Sequence, residues 1–150
     1  MAEENPEPIN VGSIPAAGNS EIRFYVSKYK GRLYAHIRKF VKTESYSGPT
    51  QSGVTMTREA VDTVRAAVAP LNLKDPVTDK ELARLPRGPG LELVVRLSLY
   101  KEKSGIDFRE WVTSPSYTGW SKKGVRLSYE HLPQIKDFLD KMGVFFRKEG

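Results

Sequence analysis

The hydrophobic pattern opens with strand-like alternation. Ile22, Phe24 and Val26 alternate with Arg23, Tyr25 and Ser27, the period of a strand with one buried face. A turn at Lys30-Gly31 leads to a second alternating run, in which Ala35, Ile37 and Lys39 oppose His36, Arg38 and Phe40. A polar, glycine-bearing stretch (43–53) follows, then a short strand with Val54 and Met56 inward. Thr57 is a good N-cap, Glu59 sits where the helix dipole favours an acid, and Val61, Val64 and Val68 form one apolar helix face that Pro70 ends.

The same order returns further along. Leu93, Val95, Leu97 and Leu99 alternate with Val94, Arg96, Ser98 and Tyr100. A turn is expected at Lys103-Ser104-Gly105, and then Ile106, Phe108 and Glu110 oppose Asp107, Arg109 and Trp111. After the polar stretch 114–124 come Val125 and Leu127, Ser128 as N-cap, and a helix face of Leu132, Ile135, Phe138, Leu139 and Met142, with Gly143 as the stop. Pro133 predicts a late start or a tight first turn for that helix. A shift of 71 lays residues 27–68 over 98–139 without a gap, and 11 of 42 positions are identical, among them Tyr29/Tyr100, Arg38/Arg109, Tyr46/Tyr117 and Gly53/Gly124. This register, which also keeps the hydrophobic pattern, is read as an internal duplication.

The expected organisation is therefore a disordered acidic tail (1–20), a first repeat (21–70), a linker (71–90), a second repeat (91–143) and a C-terminal tail (144–150). Thr78-Asp79-Lys80-Glu81 has the capping-box pattern and predicts one short helix in the linker. One repeat of about 50–60 residues encloses too little interior to be secure alone. The two copies are expected to pair helix to helix and sheet to sheet as an intramolecular pseudodimer. A functional monomer is the expectation; homodimerisation through leftover edges or the apolar Val144-Phe145-Phe146 tail is the alternative.

Composition narrows the function. At 150 residues, 39% hydrophobic and 28% charged, a folded soluble domain is expected. No apolar run approaches the ~18 residues of a membrane span, and the first residues lack the basic start of a secretory signal. Without cysteine there is no disulfide, thiolate metal site or cysteine nucleophile. An intracellular protein is expected, in cytoplasm and nucleoid if bacterial, in the nucleus if eukaryotic. Residues 1–20 carry a net charge of −3 and the remainder +9, which points to a polyanion partner.

The positive charge falls on the strands. Residues 22–57 hold seven basic and one acidic side chain, and 93–128 hold seven and three, whereas the two terminal helices are close to neutral. Tyr25, Tyr29, Tyr34, Phe40, Tyr100 and Trp111 lie on the non-core side of the same strands. Cations that follow phosphates beside rings that stack unpaired bases suit a single-stranded nucleic acid, each stack being worth ~1–3 kcal/mol. A core or dimer-contact role for Phe40 and Trp111 competes with that assignment. His36 and His131 have no metal-ligand spacing, and Arg87-Gly88-Pro89-Gly90 lacks the Gly-Lys-Ser/Thr of a phosphate loop. No enzyme, metal or cofactor is expected.

Tyr29-Lys30-Gly31-Arg32, Ile37-Arg38-Lys39-Phe40 and Pro49 through Thr57 resemble the Positive Cofactor Four family of transcriptional coactivators. So do Ile106-Asp107-Phe108-Arg109-Glu110-Trp111 and Ser121-Lys122-Lys123-Gly124-Val125-Arg126-Leu127-Ser128. Whirly and Pur-alpha proteins are two-repeat relatives of less similar motif. The resemblance implies an α+β fold of two tandem ββββα repeats, with curved antiparallel sheets that bind single-stranded or melted DNA along their ridges. It places backbone contacts on Lys30, Arg32, Arg38, Lys101, Lys103 and Arg109, and stacking on Tyr29 and Tyr100. The loop-ending basic pair is Lys122 and Lys123; the first repeat has Gln51 and Ser52 there. Val41 and Val112 replace a second family aromatic, leaving Trp120, Tyr46 and Tyr117 as candidate stackers. With Phe40, Lys42 and Trp111 these make up the candidate contact set. The implied function is single-stranded DNA binding in transcription, with the transcription machinery as a further partner. An RNA-binding protein and a basic protein-interaction module are the alternatives.

Overall fold

The computed structural model describes residues 7–149. Strands β1 (Ile9–Pro15), β2 (Ser20–Tyr29), β3 (Arg32–Lys42) and β4 (Ser47–Met56) precede helix α1 (Arg58–Val68). Strands β5 (Lys80–Gly88), β6 (Leu91–Tyr100), β7 (Lys103–Thr113) and β8 (Thr118–Ser128) precede a 3-10 turn (Tyr129–His131) and helix α2 (Leu132–Glu149). Each set of four strands forms an antiparallel sheet in sequence order, so the α+β class with a helix after each sheet is as expected.

The two sheets share their irregularities as well as their order. β1 and β2 slip between Asn10 and Gly12, and β5 and β6 between Glu81 and Ala83. β3 and β4 slip between Arg38 and Phe40, and β7 and β8 between Arg109 and Trp111. These four breaks form two pairs at the offset of 71, and β5 and β6 add one more slip between Pro86 and Gly88. A bulge bends its strand and increases the local twist, so both sheets curve at the same places.

Five expected boundaries change. Residues 9–15 of the anticipated acidic tail form β1, an edge strand that buries Ile14; residues 1–6 lie outside the described part. The short linker helix is absent, and 80–88 form β5 instead. There Asp79 accepts a hydrogen bond from Leu99 N at 2.8 Å rather than capping a helix, and pairing with β6 places Leu82, Ala83 and Leu85 against the core. The second hairpin turns at Lys101-Glu102, with φ of 48° and 64°, and Lys103-Ser104-Gly105 already belong to β7. Gly143 does not stop α2, because the helix goes on to bury Phe146 and Arg65 of α1 lies against the glycine. The tail 144–150 is thus mostly helix, and Phe146 is core rather than an open contact. Finally, Ser128 makes no side-chain cap, whereas Thr57 accepts from Ala60 N at 3.3 Å. The 3-10 turn ahead of Pro133 is the tight first turn that the proline predicts.

A single core joins residues of both halves. Phe24, Ile37 and Met56 of the first sheet, Leu93, Ile106 and Phe108 of the second, and Val61, Val64, Ile135 and Leu139 of the helices are all fully enclosed. α1 and α2 touch side by side, and the β4 edge adjoins β8. α2 crosses from the second half to lie on β1, β2 and β3, while α1 reaches β5. Polar ties reinforce the crossing: Arg65 pairs with Asp140 at 3.1 Å, and Lys136 Nζ donates to the carbonyl of Ala69 at 3.0 Å. Exposed ion pairs contribute only ~0–1 kcal/mol, so the apolar contact dominates.

That contact has a specific shape. Phe138 of α2 meets Phe24 with ring centroids 5.1 Å apart, and its ring occupies the space where a Cβ on residue 12 would stand. Only glycine fits. At the aligned positions of the other half stand Ala83, Val95 and Ala67, so the two rings give way to small side chains and the glycine to alanine. Gly12→Val should therefore destabilise the protein by about 1–3 kcal/mol through overpacking. Adding Phe138→Ala should recover part of that loss, giving a coupling of about 1 kcal/mol or more in chemical denaturation. Strict additivity of the two substitutions would show that they do not share a contact.

Candidate nucleic-acid interface

With the helices and core on one side, each sheet keeps an outer face, and the predicted residues are read from the strand register. On the first sheet Arg23 faces Arg38, Tyr25 faces His36, and Glu21 faces Phe40 across β2 and β3. On the second, Val94 faces Arg109, Arg96 faces Asp107, and Glu92 faces Trp111 across β6 and β7.

The hairpin tips are the most alike. Tyr29 and Arg32 flank the turn Lys30-Gly31; Tyr100 and Lys103 flank Lys101-Glu102. Both central residues of each turn have positive φ, as a two-residue turn matching the strand twist requires. That conformation presents the same arrangement twice. Lys30 Nζ lies 5.5 Å from the Tyr29 ring centre and Lys101 Nζ 5.4 Å from that of Tyr100. The tyrosines are 53% and 63% exposed, so the rings pack into no core.

Arg38 and Arg109 are held in place rather than loose. Arg38 Nη1 donates to the Thr50 carbonyl at 3.0 Å, and Arg109 Nη1 to that of Ser121 at 3.2 Å. Each side chain crosses a glycine of the neighbouring strand, Gly53 or Gly124, where a Cβ would stand 2.8 Å or less from the arginine. The two identical glycines of the sequence comparison thus hold the two identical arginines. Lys122 and Lys123 project from β8 as exposed side chains, and Lys42 is exposed at the end of β3.

Phe40 and Trp111 are half-buried and already partnered. Arg23 covers the Phe40 ring at 4.2 Å, with Tyr25 edge-on at 5.7 Å. Arg84 of β5 lies 5.5 Å over Trp111, and Trp120 meets it edge-on at 4.8 Å. The arginine comes from different strands in the two halves, yet each pairs with the glutamate beside the ring: Arg23 with Glu21 at 2.6 Å, Arg84 with Glu92 at 3.0 Å. Trp120 is itself covered by Arg96 at 4.6 Å. Tyr46 and Tyr117 latch their loops, their hydroxyls donating to the carbonyls of Pro49 and Trp120, while about half of each ring remains exposed.

The halves differ most at the centre of the face. Asp107, buried on β7, is contacted by Arg96 at 3.3 Å and Arg109 at 3.4 Å, while Arg126 is tied to Ser98 at 2.9 Å. The aligned residues of the first sheet are Tyr25, His36, Arg38, Thr55 and Ser27. There His36 stacks on Tyr25 at 4.5 Å and bonds Ser27 at 2.8 Å and Thr55 at 3.1 Å. Burial, then the charge of Arg38 and that of Arg87, lower its pKa to about 4. His36 is therefore neutral at pH 7, and the first sheet carries an uncharged stack where the second carries two arginines on one buried carboxylate.

Sequence reading had placed Arg23, Tyr25 and Arg96 on the outward side of their strands without assigning them a role; their pairing across the sheet is what brings them to Phe40 and Trp120. Arg84 was missed because its segment reads as a linker, and its alternation is obscured by Pro86 and the extra slip before Gly88.

No helix among the described residues is long and apolar enough to cross a membrane. No curated protein matches the chain. Residues 17–67, from just before β2 into the last turn of α1, match the model of a family described as Transcriptional Coactivator p15 (PC4). The match covers about a third of the chain.

Proposed function

We propose that the protein binds single-stranded or melted DNA across the outer faces and hairpin tips of its two sheets, and acts in transcription as a coactivator. The observation that carries this reading is the twinned tip: an exposed tyrosine, a lysine beside its ring and a basic residue opening the next strand, built twice on the same turn geometry. The family of residues 17–67 supports DNA and the transcription machinery as partners. Phosphates are bound by Lys30, Arg32, Lys101 and Lys103 at the tips, with Lys42, Lys122 and Lys123 along the strands. Tyr29 and Tyr100 stack bases. Arg38 donates to the Thr50 carbonyl and the Thr55 hydroxyl, and Arg109 to the Ser121 carbonyl and Asp107; both add fixed positive charge to the face. The protein is a binding protein rather than an enzyme, and one chain supplying both tips makes a functional monomer.

Four to six phosphates neutralised on a single strand should give log K against log salt a slope of roughly −3 to −4. Titration of labelled single-stranded DNA, duplex DNA and RNA of equal length measures this. A slope near zero or a preference for duplex contradicts the proposal, and tighter binding to RNA would move it to RNA.

Roles within the face separate by salt. Replacing Arg32 and Lys103 together with alanine should weaken binding and flatten the slope by about 1.4. Replacing Tyr29 and Tyr100 with alanine should weaken binding at least tenfold with the slope unchanged, because stacking releases no counterions. Tyrosine variants that bind as tightly as the parent would remove stacking from the account.

A further inference from the structure

The two outer faces diverge at one register position with a direct consequence for ligand binding. Phe40 on β3 pairs with Pro49 on β4, and the equivalent Trp111 on β7 pairs with Trp120 on β8. In the second half the Trp120 indole makes a T-shaped contact with Trp111 and lies against the Arg96 guanidinium, at 4.8 and 4.6 Å. A planar heteroaromatic ring held between an aromatic side chain and a guanidinium is the environment a protein gives an unpaired base.

Among the described residues of the first half, none fills that place. Pro49 is too short to reach over Phe40 and Tyr25, and the outer face holds an open pocket of about 350 Å³ lined by Glu7, Asn10, Arg23, Tyr25, Phe40 and Pro49. The volume lies at the small end of ligand pockets, ~300–1,000 Å³. Its walls combine two rings and a stacked guanidinium with an amide that both donates and accepts and a carboxylate that accepts. Rings serve a base face; amide and carboxylate serve the N–H and C=O groups of its edge.

Resting on the single-strand reading above, we infer that this pocket receives one unpaired nucleobase, and that Trp120 is a built-in occupant closing the equivalent pocket of the second sheet. The two faces are then unequal. The first sheet takes a base from the bound strand, and the second contributes its tip and its exposed lysines without a base pocket.

The test uses the full chain and a fluorescently labelled thymidine oligonucleotide. Pro49→Trp supplies the first half with the side chain that the fold already accommodates at position 120. It should retain the parent's unfolding midpoint and bind about tenfold more weakly. Photocrosslinking of the parent to the same oligonucleotide carrying iodouracil should label the peptide containing Tyr25 or Phe40. If the parent does not bind the oligonucleotide, the single-strand reading itself falls and the pocket with it. If the parent binds and Pro49→Trp binds equally well, the reading survives and the pocket is overturned. Should Pro49→Trp fail to fold, the crosslink decides: labelling at Trp111 or Trp120 in place of Tyr25 or Phe40 overturns the inference.

Discussion

The structure depends on α2 lying across the sheet to which it does not belong in chain order. Phe138 against Phe24, admitted by Gly12, is the centre of that contact. A four-stranded sheet with a single short helix has too small an interior for independent stability. Each half therefore completes its core with material from the other. Residues of both sheets and both helices form one enclosed cluster, to which the exposed Arg65–Asp140 pair between the helices adds little.

Because the core is shared on one side, both outer faces are left to polar and aromatic side chains, and these are organised by the same bulges. The slip beside Arg38 and Arg109 lets the base of each arginine side chain lie against a glycine while its guanidinium bonds a backbone carbonyl. Once the arginines are fixed, neighbouring positions diverge. The second sheet sets Asp107 between two of its arginines and closes its surface with Trp120; the first replaces the acid with a neutral histidine and leaves a pocket. The register is kept while the chemistry on it changes, which makes two non-equivalent faces.

Much of the repeat was legible because its signals are local. The alternation of Ile22, Phe24 and Val26, the cap at Thr57 and the Lys30-Gly31 turn each rest on a few adjacent residues. The strands β1 and β5 were not legible for a physical reason. Edge strands with one partner bury little, and Gly12, Pro15, Pro86 and Gly88 imitate loop composition while the pairing is set by β2 and β6. The overrun of α2 past Gly143 was hidden because its cause, Arg65 and the core beneath Phe146, lies elsewhere in the chain. On the face, the exposed tips were readable from a tyrosine beside a lysine at a turn. The stacks of Arg23 on Phe40 and Arg84 on Trp111 were not, since they arise between strands.

The shared core is the central claim, and the tryptophans allow a direct test, for Trp111 and Trp120 are the only two in the chain and both lie in the second sheet. Chemical unfolding followed by tryptophan fluorescence and by far-ultraviolet circular dichroism should give coincident transitions. Phe24→Ala, a change confined to the first sheet, should move both midpoints together. A fluorescence transition that stays in place while the dichroism transition moves to lower denaturant would mean that the second sheet stands alone, and would contradict the account.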